Sequence, residues 1–199
     1  MTAFVYKPRT ALDVRLRLLD FAIKADTYEN VLNALGRGIR EAVGRTESVS
    51  DDDAVIDYET QIIENMLGTA FVVCQAQANA VLQAALNIPE QTIKDSEIRK
   101  LGPRFDKDYS KVEVLWALAN YFKHRDEWGR SMWSNPGNRE KLTVDAIKAA
   151  GLSVGSSGNL RTGAEALGNV SYTDVGVFYG VVRDWSENVG EHIRVQTGR

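Results

Sequence analysis

Apolar residues recur every three or four positions along most of this chain, which is the spacing that places them on one face of an α-helix. The spacing is clear over residues 12–23, 31–43, 55–86, 112–122, 142–147 and 175–193. A weak strand signal is limited to residues 3–6, where a short segment could pair only at an edge. The pattern therefore predicts an all-α fold, an antiparallel bundle of about six to eight helices.

Capping signals set the boundaries of the first helices. Asp26 with Glu29 three residues later forms a capping box, and Gly44 is expected to end the helix that follows. The next helix is expected to begin near Asp51 and to continue without proline as far as Leu86. Its C-terminal half is rich in alanine, so we expect that half to run through the core while the acidic N-terminal half meets water.

The C-terminal half of the chain carries similar signals. A capping box at Ser110 and Glu113 precedes the helix over residues 112–122. The sequence then predicts a helix over 138–150 followed by Gly151, a flexible surface loop over 151–158 and a final helix over 175–193. We expect residues 1–199 to form a single helical domain, with 151–199 within it or packed on the bundle as an extension.

Composition and charge narrow the class of protein. With 44% hydrophobic and 26% charged residues, the chain is typical of a soluble globular protein. No window approaches the length of about 20 uncharged apolar residues that a membrane span needs, so we expect no membrane association. A single cysteine cannot form an internal disulfide, which fits a reducing, cytoplasmic location. The net charge of −3 provides no general attraction for phosphate backbones, so RNA binding would need a local basic patch.

Several kinds of chemistry have no signature in this sequence. The single cysteine, Cys74, lies in an apolar run and is expected to be a buried hydrophobic residue. Phosphate-loop, zinc-protease, nucleophile-elbow and paired-cysteine motifs are missing, and neither His124 nor His192 has an acidic residue three positions before it. We therefore expect no cofactor and no metal site.

An acidic group lies around the start of the long helix. Its members are Asp51, Asp52, Asp53, Asp57, Glu59 and Glu64. The group lacks the glycine and the spacing of a calcium loop. Its simplest interpretation is a solvated helix start, and the alternative is that it binds arginine or lysine residues of the same or another subunit.

The strongest candidate for chemistry is the polar end of the 112–122 helix. Asn120 shares a helix face with Lys123 and His124, and an asparagine can orient an imidazole through one hydrogen bond. His124 would serve as acid or base, while Lys123 and Arg125 would hold a phosphate. The alternative is that these cations only complement the carbonyl end of the helix, with Asp126 and Glu127 partly neutralising them.

Aromatic residues are concentrated around the same segment. They are Trp116, Tyr121, Phe122, Trp128 and Trp133. Rings beside basic groups can stack nucleic-acid bases, but such a cluster is more often part of a core or of a dimer interface. The aromatic residues alone therefore do not decide between RNA binding and packing.

The Asn-x-x-Lys-His ending of an apolar helix, preceded by a long helix, resembles the HEPN-like superfamily. The resemblance covers Asp51 to Trp128 loosely and is specific only at Asn120 to His124. It implies an all-helical, commonly dimeric protein, with metal-independent endoribonucleases of toxin and phage-defence systems among its relatives, and His124 as the acid/base residue. The superfamily's catalytic arginine, four to six residues before the histidine, is replaced here by Asn120. Either Lys123 or Arg125 supplies the positive charge, or the chain is a non-catalytic relative.

Two hypotheses from different classes follow. In the first, the protein cleaves or binds RNA through His124, which Asn120 orients and beside which Lys123 and Arg125 hold phosphate. In the second, the protein is a helical homodimerisation or interaction module, and the same residues form a capped, aromatic-lined interface. The first hypothesis requires an accessible His124 in a cleft, and the second a buried or backbone-bonded one.

Overall fold

A computed structural model describes residues 25–48, 52–88, 92–168 and 171–197. Eight helices lie in these ranges: α1 (Ala25–Ser48), α2 (Asp53–Leu86), α3 (Asp95–Ile98), α4 (Lys111–His124), α5 (Arg130–Ser134), α6 (Asn138–Ala149), α7 (Asn159–Gly168) and α8 (Gly176–Thr197). The described residues form no strand beyond one isolated bridge between Arg104 and Ser110. The predicted all-α class is confirmed, while the helix at 12–23 and the strand signal at 3–6 lie outside the described residues.

Helix α2 is the central element of the bundle. It contacts α1, α4, α7 and α8, and its core residues include Leu67, Phe71 and Leu82. Gly68 faces Phe122 of α4 so closely that any side chain at this position would overlap the Phe122 ring. The two helices therefore approach each other near the end of α4, and this contact fixes where that end lies.

By length and composition alone, α2 is long and apolar enough to cross a membrane, but 50% of its most apolar window is buried inside the bundle. The core helix of a soluble protein can have the same length and composition. Cys74 on this helix has no exposed surface, as predicted for a small hydrophobic residue. Burial raises the pKa of its thiol to about 12.

The acidic start of α2 is less exposed than the sequence suggests. Asp52 caps the helix by accepting from the backbone N–H groups of Ala54 and Val55, in agreement with a start near Asp51. Asp52, Asp53 and Asp57 are exposed, as predicted for a solvated helix start. Glu59 and Glu64 are only 5% and 3% exposed and instead fit the alternative, because each pairs with an arginine of the same chain. Both carboxylates lie on the side of α2 that faces its neighbours, where other parts of the chain supply their partners.

Glu59 explains why α1 is longer than predicted. Gly44 does not end this helix, which continues to Ser48. Arg45 in its last turn forms two hydrogen bonds to Glu59, of 2.7 and 2.9 Å, and this donation lowers the pKa of the carboxyl. The ion pair joins the end of α1 to α2 and offsets the low helix propensity of an exposed glycine.

Glu64 has the same kind of role for α7, a helix that the sequence analysis does not predict. Its carboxylate accepts from the backbone N–H groups of Leu160 and Arg161, at 3.0 and 3.1 Å. These groups belong to the first turn of α7, which has no partners for them within the helix. A residue far away in the sequence thus supplies the cap.

The segment before α7 is more restrained than a flexible loop. Gly151 has a φ of 86°, and the Leu152 N–H donates to the Ile147 carbonyl at 3.0 Å, which ends α6 in the way predicted. Asn159 is buried and its side chain binds both backbone groups of Ser153, with N–H···O distances of 3.0 and 2.8 Å. The loop over 151–158 is therefore closed at its base by hydrogen bonds.

Candidate functional site

The four predicted site residues lie at the C-terminal end of α4. The start of this helix follows the prediction, because Ser110 accepts from the Glu113 N–H and Glu113 accepts from the Ser110 N–H. The helix ends at His124. The described structure thus places Asn120, Lys123 and His124 in the last two turns, with Arg125 directly after them.

Asn120 and Lys123 are joined by a residue that the sequence analysis does not identify, Gln75 of α2. The Gln75 amide donates to the Asn120 side-chain oxygen at 2.9 Å and to the Trp116 carbonyl at 3.3 Å. Its own oxygen accepts from the Lys123 ammonium at 2.8 Å. Partial burial lowers the pKa of Lys123. A single buried glutamine therefore connects two of the predicted site residues to α2.

His124 has a different partner. Its side chain is 49% exposed, and its Nδ1 atom lies 3.3 Å from the Glu127 carboxylate. The Glu127 N–H also donates to the His124 carbonyl at 2.9 Å, so the turn after α4 holds this carboxylate beside the imidazole. Asn120 instead directs its side-chain oxygen to Gln75. The structure thus gives Glu127 the orienting position that the sequence analysis assigns to Asn120.

Arg125 is held against α2. Its guanidinium donates to the Asn65 side-chain oxygen at 2.7 Å and lies 5.0 Å from the centre of the Phe122 ring. The side chain is 24% exposed. An arginine carries five N–H donors, so these contacts orient the group and leave donors for an anion. A fixed, planar donor set of this kind matches the geometry of a phosphate or a carboxylate.

Most of the nearby aromatic residues pack against one another. The rings of Tyr121, Trp128 and Trp133 meet edge to face, with centroids 5.7, 5.8 and 6.3 Å apart. The Tyr121 hydroxyl accepts from the buried Asn159 amide at 3.0 Å. This cluster therefore fits the packing interpretation, and it closes the side of α4 that faces α5 and the base of the 151–158 loop.

Trp116 lies apart from that cluster, in a cleft of about 490 Å³ between α3, α4 and α6. The Arg99 guanidinium lies 4.7 Å above the Trp116 ring. Asn120 also lines the cleft, whereas His124 and Arg125 are not among its lining residues in the described part of the chain. The predicted site is thus divided between the wall of a cleft and the exposed end of α4.

The candidate site gains no further support from a metal centre among the described residues or from similarity to known proteins. Among the described residues, no three His, Cys, Asp or Glu side chains form a group suited to a metal ion. Comparison of the chain with protein-family models, curated proteins and solved structures found no match. The HEPN-like resemblance therefore stays a prediction, and the arrangement of side chains at the end of α4 is the remaining evidence for a function.

Proposed function

We propose that the end of α4 binds RNA and that His124 acts there as the acid/base residue of metal-independent cleavage. The observation that supports this best is the pairing of a half-exposed imidazole with a carboxylate, because Nδ1 of His124 lies 3.3 Å from Glu127. When Nδ1 carries the proton, it donates to Glu127 and leaves Nε2 as the basic nitrogen. Nε2 has no protein partner among the described residues.

Metal-independent RNA cleavage needs a base for the 2′-hydroxyl proton and cations for the phosphate that the hydroxyl attacks. In this proposal His124 Nε2 takes the proton and Arg125 holds the phosphate. Lys123 stands beside them, with its ammonium group anchored to Gln75 and further N–H donors remaining. The attacking oxygen forms a bond to phosphorus as the bond to the 5′ oxygen of the next nucleotide breaks, the departing oxygen takes the electron pair and a proton from water, and a 2′,3′-cyclic phosphate remains.

The interaction hypothesis is the second candidate, and a specific observation favours it. Gln75 engages both Asn120 and Lys123, so two of the predicted site residues already serve to join α4 to α2. In this proposal the end of α4 is part of a homodimer interface, and His124, which is 49% exposed in the single chain, becomes buried against a second copy. The two proposals differ in what the loss of the His124 imidazole does.

The test is incubation of the purified protein with total RNA and EDTA, together with a His124→Ala variant. His192→Ala is the matched control, because His192 is the other histidine and lies on α8. Cleavage by wild type and control, reduced at least about 100-fold in His124→Ala, supports the catalytic proposal. Absence of cleavage by the wild type, or full activity in His124→Ala, contradicts it.

Sedimentation velocity over a range of protein concentrations tests the interaction proposal. A concentration-dependent dimer that His124→Ala weakens, and that His192→Ala leaves intact, supports an interface at the end of α4. A wild-type protein that remains a monomer at all concentrations contradicts the interaction proposal. The RNA proposal is then tested by the cleavage assay alone.

A further inference from the structure

The cleft between α3, α4 and α6 has the size of a ligand site. Its volume of about 490 Å³ lies within the range of roughly 300–1000 Å³ that is common for such sites. Two of its walls differ in character. Lys94 and Lys100 lie beside α3, while Trp116 and Asn120 belong to α4 and Leu142 to α6. The cleft thus combines cationic groups with a flat apolar surface and an amide.

The acidic residues of the cleft are already occupied. Asp95 accepts from the Arg99 guanidinium, with one N–H···O distance of 2.7 Å, and Glu113 accepts from the Ser110 N–H at 2.8 Å. The ammonium groups of Lys94 and Lys100 have no hydrogen-bond partner among the described residues. Three cations, Lys94, Arg99 and Lys100, outnumber the two carboxylates of the cleft, so its net charge is positive and an anionic group such as a phosphate suits it.

The α4 wall offers groups that recognise a base. The Arg99 guanidinium covers one face of the half-buried Trp116 ring, and bases stack both on tryptophan rings and on guanidinium planes. Because Gln75 donates to the Asn120 oxygen, the Asn120 amide nitrogen is the end of that side chain left to donate a hydrogen bond. A base acceptor placed beside Asn120 would complete the hydrogen bonding of this amide.

The cleft also lies close to the exposed end of α4. Asn120 precedes His124 by one helical turn, a rise of about 6 Å. A strand that leaves the cleft at its Asn120 end can therefore continue to His124. A duplex cannot present its bases to a cleft in this way, because they are stacked and paired.

We propose that this cleft binds one nucleotide of a single-stranded RNA, with its base against the Trp116–Arg99 pair and Asn120 and its phosphate at Lys94 and Lys100, and that the strand continues from the Asn120 end of the cleft toward His124. The inference rests on the proposed RNA function and adds a subsite to it. It makes the protein selective for single strands and gives it a preference for the base next to the cleavage point.

Binding of short fluorescent RNA homopolymers, measured by anisotropy in EDTA, tests this subsite. The His124→Ala protein serves as the background, so that the RNA stays intact. Trp116→Leu in that background is expected to weaken binding about tenfold or more. Lys94→Ala combined with Lys100→Ala is expected to reduce the slope of log K against log salt by about 0.7, because the two lysines share one phosphate.

Lys107→Ala is the control, because Lys107 is exposed and lies outside the cleft. Circular dichroism checks that Trp116→Leu is folded, and the lysine variants test the subsite without disturbing the core. If the parent protein binds RNA and all cleft variants bind it equally well, the subsite is overturned while the RNA surface stands. If wild-type protein and the His124→Ala background both fail to bind RNA, the proposed function itself is overturned.

Discussion

The polar sites at Glu64 of α2 and at His124 of α4 differ sharply in how they are built. The Glu64 side chain is 4% exposed and is surrounded by two backbone N–H groups and the Arg161 guanidinium, 3.7 Å away. His124 is 49% exposed, and its partner Glu127 is 74% exposed. Buried polar groups have to find partners within the protein, whereas exposed ones can remain available.

This difference separates residues that hold the fold from residues that can do chemistry. Exposed ion pairs contribute about 0–1 kcal/mol to the free energy of unfolding, so the pair of His124 and Glu127 adds little to the stability of the fold. A buried carboxylate that caps a helix is costly to lose. Gln75 lies between the two extremes, since it is buried but binds residues that reach the surface.

The largest effect is expected at the buried site. Glu64→Ala leaves the N–H groups of Leu160 and Arg161 without an acceptor, so we expect it to lower the free energy of unfolding by about 3 kcal/mol. Urea denaturation measures this loss, and Glu165→Ala, at an exposed position of α7, is the control. Equal stability of the two variants would show that α7 does not depend on Glu64.

A smaller effect is expected at Gln75. Gln75→Leu removes the bonds to Asn120 and Lys123, but both of those side chains can turn to water, so we expect a loss of about 1 kcal/mol. Gln83→Leu, at an exposed position of the same helix, is the matched control. A double-mutant cycle with Lys123→Ala measures the coupling, and a coupling energy of zero would contradict the bond seen between these residues.

The pH dependence of stability should reveal the burial of Glu64. Burial is the main cause that raises the pKa of this carboxyl, and the two backbone donors and Arg161 only partly oppose it. The folded state therefore binds the proton more tightly than the unfolded state, and this contribution to stability is lost as pH rises from the usual pKa through the folded one. Glu64→Gln, compared with wild type by urea denaturation from pH 4 to pH 7, should show less of this decline. An identical decline in both proteins would assign it to other groups.

The smallest change in stability is expected at the exposed site. His124→Ala removes only a pair between two exposed side chains, so we expect the free energy of unfolding to change by less than about 0.5 kcal/mol. Denaturation of this variant beside wild type is the measurement. A loss of more than about 1 kcal/mol would mean that His124 supports the fold, and the contrast with Glu64 would fail.

Local signals in the sequence determined much of the helical framework. Ser110 with Glu113 starts α4, Asp52 starts α2 and Gly151 ends α6, because each cap is formed by atoms within a few residues of the helix end. The same locality made the end of α4 recognisable as a polar, cationic segment. The sequence left open whether this segment acts on RNA or forms a protein interface.

The tertiary structure decided the features whose partners are distant in the chain. The cap of α7 comes from a residue 96 positions earlier, and Asn120 is bound by a glutamine 45 positions away. No local pattern predicts either contact. The sequence around a polar residue of a long helix has the same pattern whether packing buries that residue or leaves it exposed. The physical reason is that a sequence assigns hydrogen bonds only within one helix, whereas packing assigns them between helices.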